Sequence, residues 1–260
     1  MYLLVADETN RNPNEKIKFF IYGGVSIPLE SAQLIHDSIT DIRKDYGYYP
    51  YDELKFDSRS KPEALSRSQF TEAKNLVIDL ADSCGVRFMA YVVHFEIASK
   101  DTPTMFLYAL RTLLCHYDLF LERKEASGFF LADRFENCFD TFKEVFTFGI
   151  DPVAAGIRNH RNLQHVHLLG ATCMGSTHFL SLVDVILGAF RYCVNEVDKT
   201  ETPKLLYPKV TQLMLTNPAD EQEIEEWGLF YRPRAIKSDR IRADYDLLRS
   251  RLDSLLSGDI

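Results

Sequence analysis

The first residues of the chain place the strongest constraint on its fold. Met1 to Ala6 form a short apolar run that ends on two acids, Asp7 and Glu8. An apolar run of this length, bounded by a polar loop, predicts a buried strand. A carboxylate at the end of such a strand must be solvated, hydrogen-bonded or paired with a cation. Two interpretations follow: the acids begin a solvated loop, or Asp7 belongs to a set of acids gathered from distant parts of the chain.

A second stretch repeats this pattern. Gly128 to Ala132 form another short apolar run, and Asp133 follows it directly. If the two strands are parallel and central, their carboxyl ends lie at the same edge of the sheet, which is where open α/β sheets bind ligands. The pattern therefore predicts that Asp7 and Asp133 lie near each other.

A third acid lies within an apolar helical segment. Asp184 is surrounded by Leu182, Val183, Val185 and Ile186, and a lone acid in such a position is costly when it has no partner. It is interpreted either as a ligand of a site or as a structural acid that caps a neighbouring backbone group or pairs with Arg191.

A charged pair is predicted between the first two helices. Leu54 and Phe56 alternate with charged residues, so an extended segment would direct Glu53 and Lys55 to the same side. An acid beside a lysine suits a site that binds metal and phosphate. The alternative is an exposed edge strand with a weak ion pair.

Apolar periodicity predicts the remaining elements. The first strand and a strand over residues 18–27 form an antiparallel hairpin, and helices alternate with further strands after it. Strands are predicted at 86–93, 128–133 and 163–169, and helices at 28–46, 61–84, 104–123, 137–148, 176–194, part of 204–215, and 238–256. These elements predict an α/β catalytic domain over residues 1–200, with a helical C-terminal extension, residues 201–260, that packs on the same domain.

Composition excludes several classes of protein. No apolar stretch reaches about 18 residues, which argues against a membrane span, and the opening run is too short and lacks the basic start of a secretory signal. The five cysteines are widely spaced without a CxxC pair, so a zinc site or a disulfide framework is not expected, and a cytoplasmic location is. The net charge of −8 argues against a protein that coats nucleic acid but permits a local basic track.

Other features of the sequence carry less weight. His165, His167 and His178 are interpreted as core or surface histidines because no carboxylate or cysteine lies at a matching metal-ligand spacing. The basic helix over 238–256 is interpreted as a solvated helix in preference to a phosphate contact. The glycine-rich phosphate loops and the GxSxG nucleophile motif are absent.

Taken in order, these pieces resemble the domain of unknown function 3800 family. The matching pieces are Asp7-Glu8-Thr9, Phe20-Ile-Tyr-Gly-Gly-Val25, Glu53-Leu54-Lys55, the strand that ends at Asp133, and Leu182-Val-Asp184-Val-Ile-Leu-Gly188. They span roughly residues 1–195. The chain departs from the family in having Thr9-Asn10 where Ser-Gly is common, and Val183 where the family has alanine before the aspartate.

The resemblance implies an RNase H-like fold: a mixed sheet with an antiparallel first hairpin followed by parallel strands, flanked by helices. It also implies a metal-dependent phosphodiester hydrolase, a nuclease that acts on RNA or DNA with two Mg²⁺ or Mn²⁺ ions. In that scheme Asp7 bridges the ions, Glu53 and Asp133 each hold one, and Asp184 completes the site. Lys55 orients a phosphate or the attacking water, and Glu8 is a weaker candidate ligand.

Two other functions remain open at this point. The fold could serve as a non-catalytic binding module of a phage-defence or toxin-type system, or the same acids could form a small-molecule phosphohydrolase. A homo-oligomer is also left open.

Overall fold

A computed structural model of the protein describes residues 1–9, 17–98, 102–150 and 161–258, without the side chains of residues 102 and 103. The polar loop that the sequence predicts after the first strand falls on residues 10–16, which are not among the described residues.

One mixed sheet organises the fold. Its strands, in chain order, are β1 (Tyr2–Thr9), β2 (Phe19–Pro28), β3 (Arg87–His94), β4 (Gly128–Asp133), β5 (Val166–Thr172) and β6 (Leu229–Arg232). Their order across the sheet is β5-β4-β1-β2-β3-β6. The β1-β2-β3 neighbours are antiparallel, and the other pairs are parallel. The predicted α/β architecture is thus confirmed, and it is consistent with an RNase H-like fold.

Helices cover both faces of the sheet. The described residues form α1 (Ala32–Asp45), α2 (Arg67–Ser83), α3 (Phe95–Ala98), α4 (Thr102–Arg123), α5 (Cys138–Phe148), α6 (His178–Asn195), α7 (Glu201–Leu213) and α8 (Asp239–Ser257). The predicted start of the second helix at Lys61 is wrong. The helix begins at Arg67, because Ser66 and Gln69 form a capping box that satisfies the first backbone N–H groups.

Strand alternation assigns each side chain of β1 to one of two cores. Leu3 and Val5 pack in the core that contains α6, whereas Leu4 and Ala6 pack in the core that contains α4. By the same alternation, Asp7 faces the α6 side of the sheet and Glu8 the α4 side.

The C-terminal region contributes a strand that the sequence did not predict. β6 extends the sheet by pairing in parallel with β3. It was missed because it has only four residues and follows a stretch rich in acids, residues 220–226, which is not typical of a strand. Tyr245 of α8 fixes this edge: its buried hydroxyl accepts a hydrogen bond from the His94 backbone N–H (2.7 Å) and donates one to the Arg232 carbonyl (2.6 Å).

Within the described part of the chain, every helix is too short or too polar to cross a membrane.

We expect Tyr245→Phe to lower the free energy of unfolding by about 1–3 kcal/mol, because it leaves a buried N–H and a buried carbonyl without their shared partner. Urea denaturation measures this change. Tyr51→Phe, at a side chain that is almost fully exposed, is the control and should unfold as the wild type does. Equal stability of the two variants would contradict the bridging role of Tyr245.

Candidate carboxylate site

The parallel pairing of β1 and β4 brings two acids to one edge of the sheet. Ala6 lies opposite Ala132 in this pair, so Asp7 and Asp133 each follow the last paired residue of neighbouring strands. Asp133 also faces the α6 side, since Phe129 and Leu131 pack against the core on that side. The sequence expectation for these two acids therefore matches the topology.

The Asp7 carboxylate lies in an unfavourable electrostatic environment. Burial, followed by the charges of Glu8, Asp184 and Asp133, raises the pKa of Asp7 to about 8, against the opposing effect of a hydrogen bond from the Glu8 backbone N–H. That N–H donates to Asp7 Oδ1 at 2.7 Å. Among the described residues, no lysine, arginine or histidine forms an ion pair with Asp7.

Asp184 comes to the same face from α6. Its Oδ2 accepts a hydrogen bond from the Phe56 backbone N–H at 2.7 Å. Burial raises the pKa of Asp184, although this hydrogen bond and the charges of Lys55 and Arg191 oppose the effect. Asp184 thus caps a neighbouring backbone group, as its structural interpretation expected, and in the described residues it forms no ion pair with Arg191. It nevertheless lies close enough to Asp7 to raise the pKa of that carboxyl.

The hydrogen bond to Asp184 is one half of a clamp on Phe56. Lys74 Nζ donates to the Phe56 carbonyl at 3.1 Å, and the same ammonium lies over the rings of Phe56 and Phe70. Burial lowers the pKa of Lys74 to about 8, with Asp57 and Asp184 acting in the opposite direction. Gly188 completes the clamp, because a Cβ at that position would overlap Phe56. The clamp fixes the segment that carries Glu53 and Lys55.

Glu53 and Lys55 form an ion pair on this segment. Lys55 Nζ lies 2.6 Å from Glu53 Oε2, and both side chains are partly exposed. Residues 52–55 have no regular secondary structure, so the strand considered for this segment is not formed. Burial acts to lower the pKa of Lys55, but the hydrogen bond and charge of Glu53, together with Asp184 and Asp7, outweigh it and raise the pKa. Lys55 is therefore a protonated cation within electrostatic range of both buried acids.

The acids are gathered but do not form a closed ligand cluster. In the ranges that the structure describes, no three His, Cys, Asp or Glu side chains are close enough together to hold a metal ion. The donor chemistry nevertheless fits Mg²⁺ or Mn²⁺, because the side chains on this face are carboxylates and hard cations prefer oxygen ligands. A cation would also offset the mutual repulsion that raises the pKa of Asp7.

Three residues of this site could not be assigned to it from sequence. Lys74 is one of several charged residues along α2, and no local pattern distinguishes it. Phe56 reads as an ordinary apolar residue, although its backbone supplies both polar contacts. Gly188 gives a partial signal, because it lies four residues after Asp184 on the same face of the helix and its small size permits a close approach to another element.

The other candidates from the sequence lie away from these acids. His165 contacts Asp118 at 3.6 Å and His167 contacts Ser127 at 2.9 Å. The arginines of α8 are largely engaged within the molecule: Arg249 pairs with Glu225, and Arg251 donates to backbone carbonyls at the end of α6 and beyond.

Comparison of the sequence with protein-family models gives no match, and no curated protein matches it. The family resemblance therefore rests on the quoted residues and on their order along the chain.

We expect Asp7→Asn to raise the melting temperature of the protein in EDTA by several degrees, since about 1 kcal/mol shifts Tm by roughly 2–4 °C in a domain of this size. Asn keeps the acceptor for the Glu8 N–H and removes the buried charge. Between pH 3.8 and about 8 the unfolded wild type loses the Asp7 proton and the folded wild type keeps it, so wild-type stability falls as the pH rises. The advantage of Asn should grow across that window and then level off.

Thermal unfolding at pH 5, 6.5 and 8 tests this expectation. Asp41→Asn, at an exposed acid of α1, is the matched control and should show no such trend. A variant that melts at or below the wild-type temperature at pH 8 would show that burial of Asp7 carries no electrostatic penalty.

We expect Gly188→Ala to lower the free energy of unfolding by about 1–3 kcal/mol, the usual effect of overpacking. The new methyl group must displace Phe56 and with it the bond to Asp184. Chemical denaturation of a double-mutant cycle with Phe56→Gly, which removes the Phe56 Cβ that a methyl group at position 188 would meet first, measures the coupling. The cost of Gly188→Ala should shrink in the Phe56→Gly background, and an unchanged cost would show that the overlap involves another group.

Proposed function

We propose that this protein is a metal-dependent phosphodiester hydrolase, a nuclease that uses Asp7, Glu53, Asp133 and Asp184 as metal ligands. One observation carries the proposal: Asp7 is partly buried at the carboxyl end of a central strand, beside Asp133 and Asp184, without an ion-pair partner in the described residues. Structural acids are normally paired when they are buried. Perturbed acids of this kind are concentrated at functional sites.

Mg²⁺ or Mn²⁺ is the proposed cofactor. When bound, such ions supply an activated water and stabilise the leaving oxygen. Asp7 and Asp133 provide oxygens from the sheet edge, and Asp184 provides one from α6 while its bond to the Phe56 N–H holds the carboxylate in place. Lys55 remains protonated beside them, and its ammonium is suited to bind a phosphate oxygen. Glu8, which faces the α4 side of the sheet, has no role in this scheme.

A nucleic acid, RNA or DNA, is the proposed substrate. This follows from the resemblance to the domain of unknown function 3800 family, and membership of that family is part of the proposal. All five cysteines are free, which agrees with a reducing cytoplasmic location. Oligomerisation is not required, since every proposed ligand comes from one chain.

The binding-module and small-molecule alternatives make different demands on the site. A module that only binds has no need of buried, mutually repelling acids, and the raised pKa of Asp7 therefore favours an enzyme. A small-molecule phosphohydrolase would use the same acids but would accept a free phosphate ester. The substrate assay separates these cases.

We expect the protein to cleave labelled single-stranded, duplex or hybrid nucleic acid in Mg²⁺ or Mn²⁺ and to be inactive in EDTA. Asp7→Asn should reduce the rate by at least about 100-fold, because it removes a proposed ligand of the metal. Glu8→Gln, the same kind of change one residue away on the opposite face, is the matched control and should retain most of the activity. Para-nitrophenyl phosphate is tested in parallel.

The outcomes are distinct. If cleavage is lost in both variants, the assignment of Asp7 but not Glu8 as a metal ligand is wrong. Hydrolysis of the small ester alone would support the phosphohydrolase. If no substrate is cut and the melting temperature of wild type does not respond to either metal, the proposed function is wrong.

A further inference from the structure

Two exposed tyrosines lie just before the segment that carries Glu53 and Lys55. The side chains of Tyr49 and Tyr51 are 68% and 98% exposed. They lie in the loop between α1 and the segment that carries Glu53 and Lys55. At full extension two residues span at most about 7 Å, so the backbone of Tyr51 lies within that distance of the backbone of Glu53.

The backbone that presents these rings is held in place. Arg43 of α1 donates from Nη2 to the carbonyls of Tyr49 and Pro50, each at 3.2 Å. Asp52 accepts from the Tyr49 N–H at 2.7 Å and returns a backbone bond to the Tyr49 carbonyl at 3.0 Å. These contacts hold the backbone that carries Tyr49 and Tyr51 in one position.

Tyr48 anchors the same loop to the α6-side core. Its ring is buried in the α6-side core, its N–H donates to the Arg43 carbonyl at 2.8 Å, and the Arg43 guanidinium lies 5.7 Å from its ring centroid. The neighbouring Tyr49 and Tyr51 add little to the core. Their exposed rings are therefore carried on an anchored backbone, at positions that the stability of the fold does not require.

The two exposed tyrosine rings are suited to stack on unpaired bases. Each nucleic-acid base has a flat π-face, and stacking on an aromatic side chain contributes about 1–3 kcal/mol per base. In a duplex these faces are covered by neighbouring bases, whereas in a single strand they are accessible.

The charge distribution gives phosphate binding beside these rings little support. The chain carries a net charge of −8, and the nearby exposed cation Arg59 is paired with Asp57 at 2.8 Å. Neutralisation of many phosphates, which dominates duplex binding, is therefore weak here, and stacking must supply a larger share of the affinity.

We propose that Tyr49 and Tyr51 are a stacking platform that binds the bases of single-stranded nucleic acid and directs the strand to the carboxylate site. The direction to the site rests on the proposed function, whereas the stacking itself does not. The platform narrows the substrate class to single strands or to unpaired regions of folded strands.

Fluorescence of 2-aminopurine, which is quenched when the base stacks, tests the proposal. The probes are single-stranded DNA and RNA 12-mers with a central 2-aminopurine and the corresponding duplexes, in Ca²⁺ without Mg²⁺ or Mn²⁺ so that the probe is not consumed. Wild type should quench the single strands and bind them more tightly than the duplexes. Tyr51→Ala and Tyr49→Ala should each weaken binding by about 5- to 150-fold, the equivalent of one stacked base.

Two variants separate stacking from other effects. Tyr51→Phe retains the ring and should bind within about threefold of wild type, as one stacked π-face is replaced by another. Phe139→Ala removes an aromatic ring of α5 that is 66% exposed and should leave binding unchanged. Because Tyr51 is almost fully exposed, its replacement should not alter Tm, which is measured for each variant.

The proposal is overturned if wild type binds duplex as tightly as single strand, or if Tyr51→Ala and Phe139→Ala behave alike. Absence of any quenching also overturns it. Quenching by a protein that cuts none of the strands in Mg²⁺ or Mn²⁺ would support the platform and refute the proposed hydrolysis. If the protein cuts the strands but binds them equally well without either tyrosine, the proposed hydrolysis is supported and the platform is refuted.

Discussion

The close approach of α6 to the end of β1 is the constraint on which the site depends. Gly23 lies opposite Asp7 in the sheet, and a Cβ there would lie 2.7 Å from Leu187 Cδ1. On another side of the same helix, Gly188 lies against Phe56. A side chain at Gly188 would force Phe56 away from the helix, and one at Gly23 would require the Leu187 side chain to move. Two missing side chains therefore allow acids from β1 and α6 to share one electrostatic environment.

In this arrangement, the packing that stabilises the fold also removes solvent from charged groups. α6 is almost wholly buried and apolar, so its packing is strongly favourable, and the same packing removes solvent from Asp7 and Asp184. Burial is accordingly the largest cause of the raised pKa of both acids. A fold selected for stability alone would place apolar residues at these positions, since replacing buried charges by well-packed apolar groups is often stabilising. Retention of the acids against that cost is the physical basis for assigning them a function.

Much of this could be predicted from the sequence, for identifiable reasons. The β1 and β4 strands and their terminal acids follow from short apolar runs that end on aspartate, and β2 and β3 follow from aromatic and β-branched runs. The predicted start of α2 is wrong because Pro62 is typical of a first helical turn, whereas the helix begins at Arg67, after the Ser66 capping box. β6 was missed because its pairing with β3 is a tertiary contact between residues far apart in sequence. Lys74 could not be assigned because its role is a contact with the Phe56 carbonyl, and side-chain to backbone contacts of this range leave no local pattern.

The contacts of the acids explain why they are gathered without forming a ligand cluster. Asp7 and Asp133 each accept the N–H of the following residue, Asp184 accepts the Phe56 N–H, and Glu53 holds Lys55. The last contact is the weakest, because an ion pair between partly exposed side chains is worth at most about 1 kcal/mol. In the proposed enzyme, Glu53 could therefore turn from Lys55 to a metal ion at little cost. The same movement would free the Lys55 ammonium for a phosphate oxygen, so that one weak pair prepares both a ligand for the metal and a cation for the substrate.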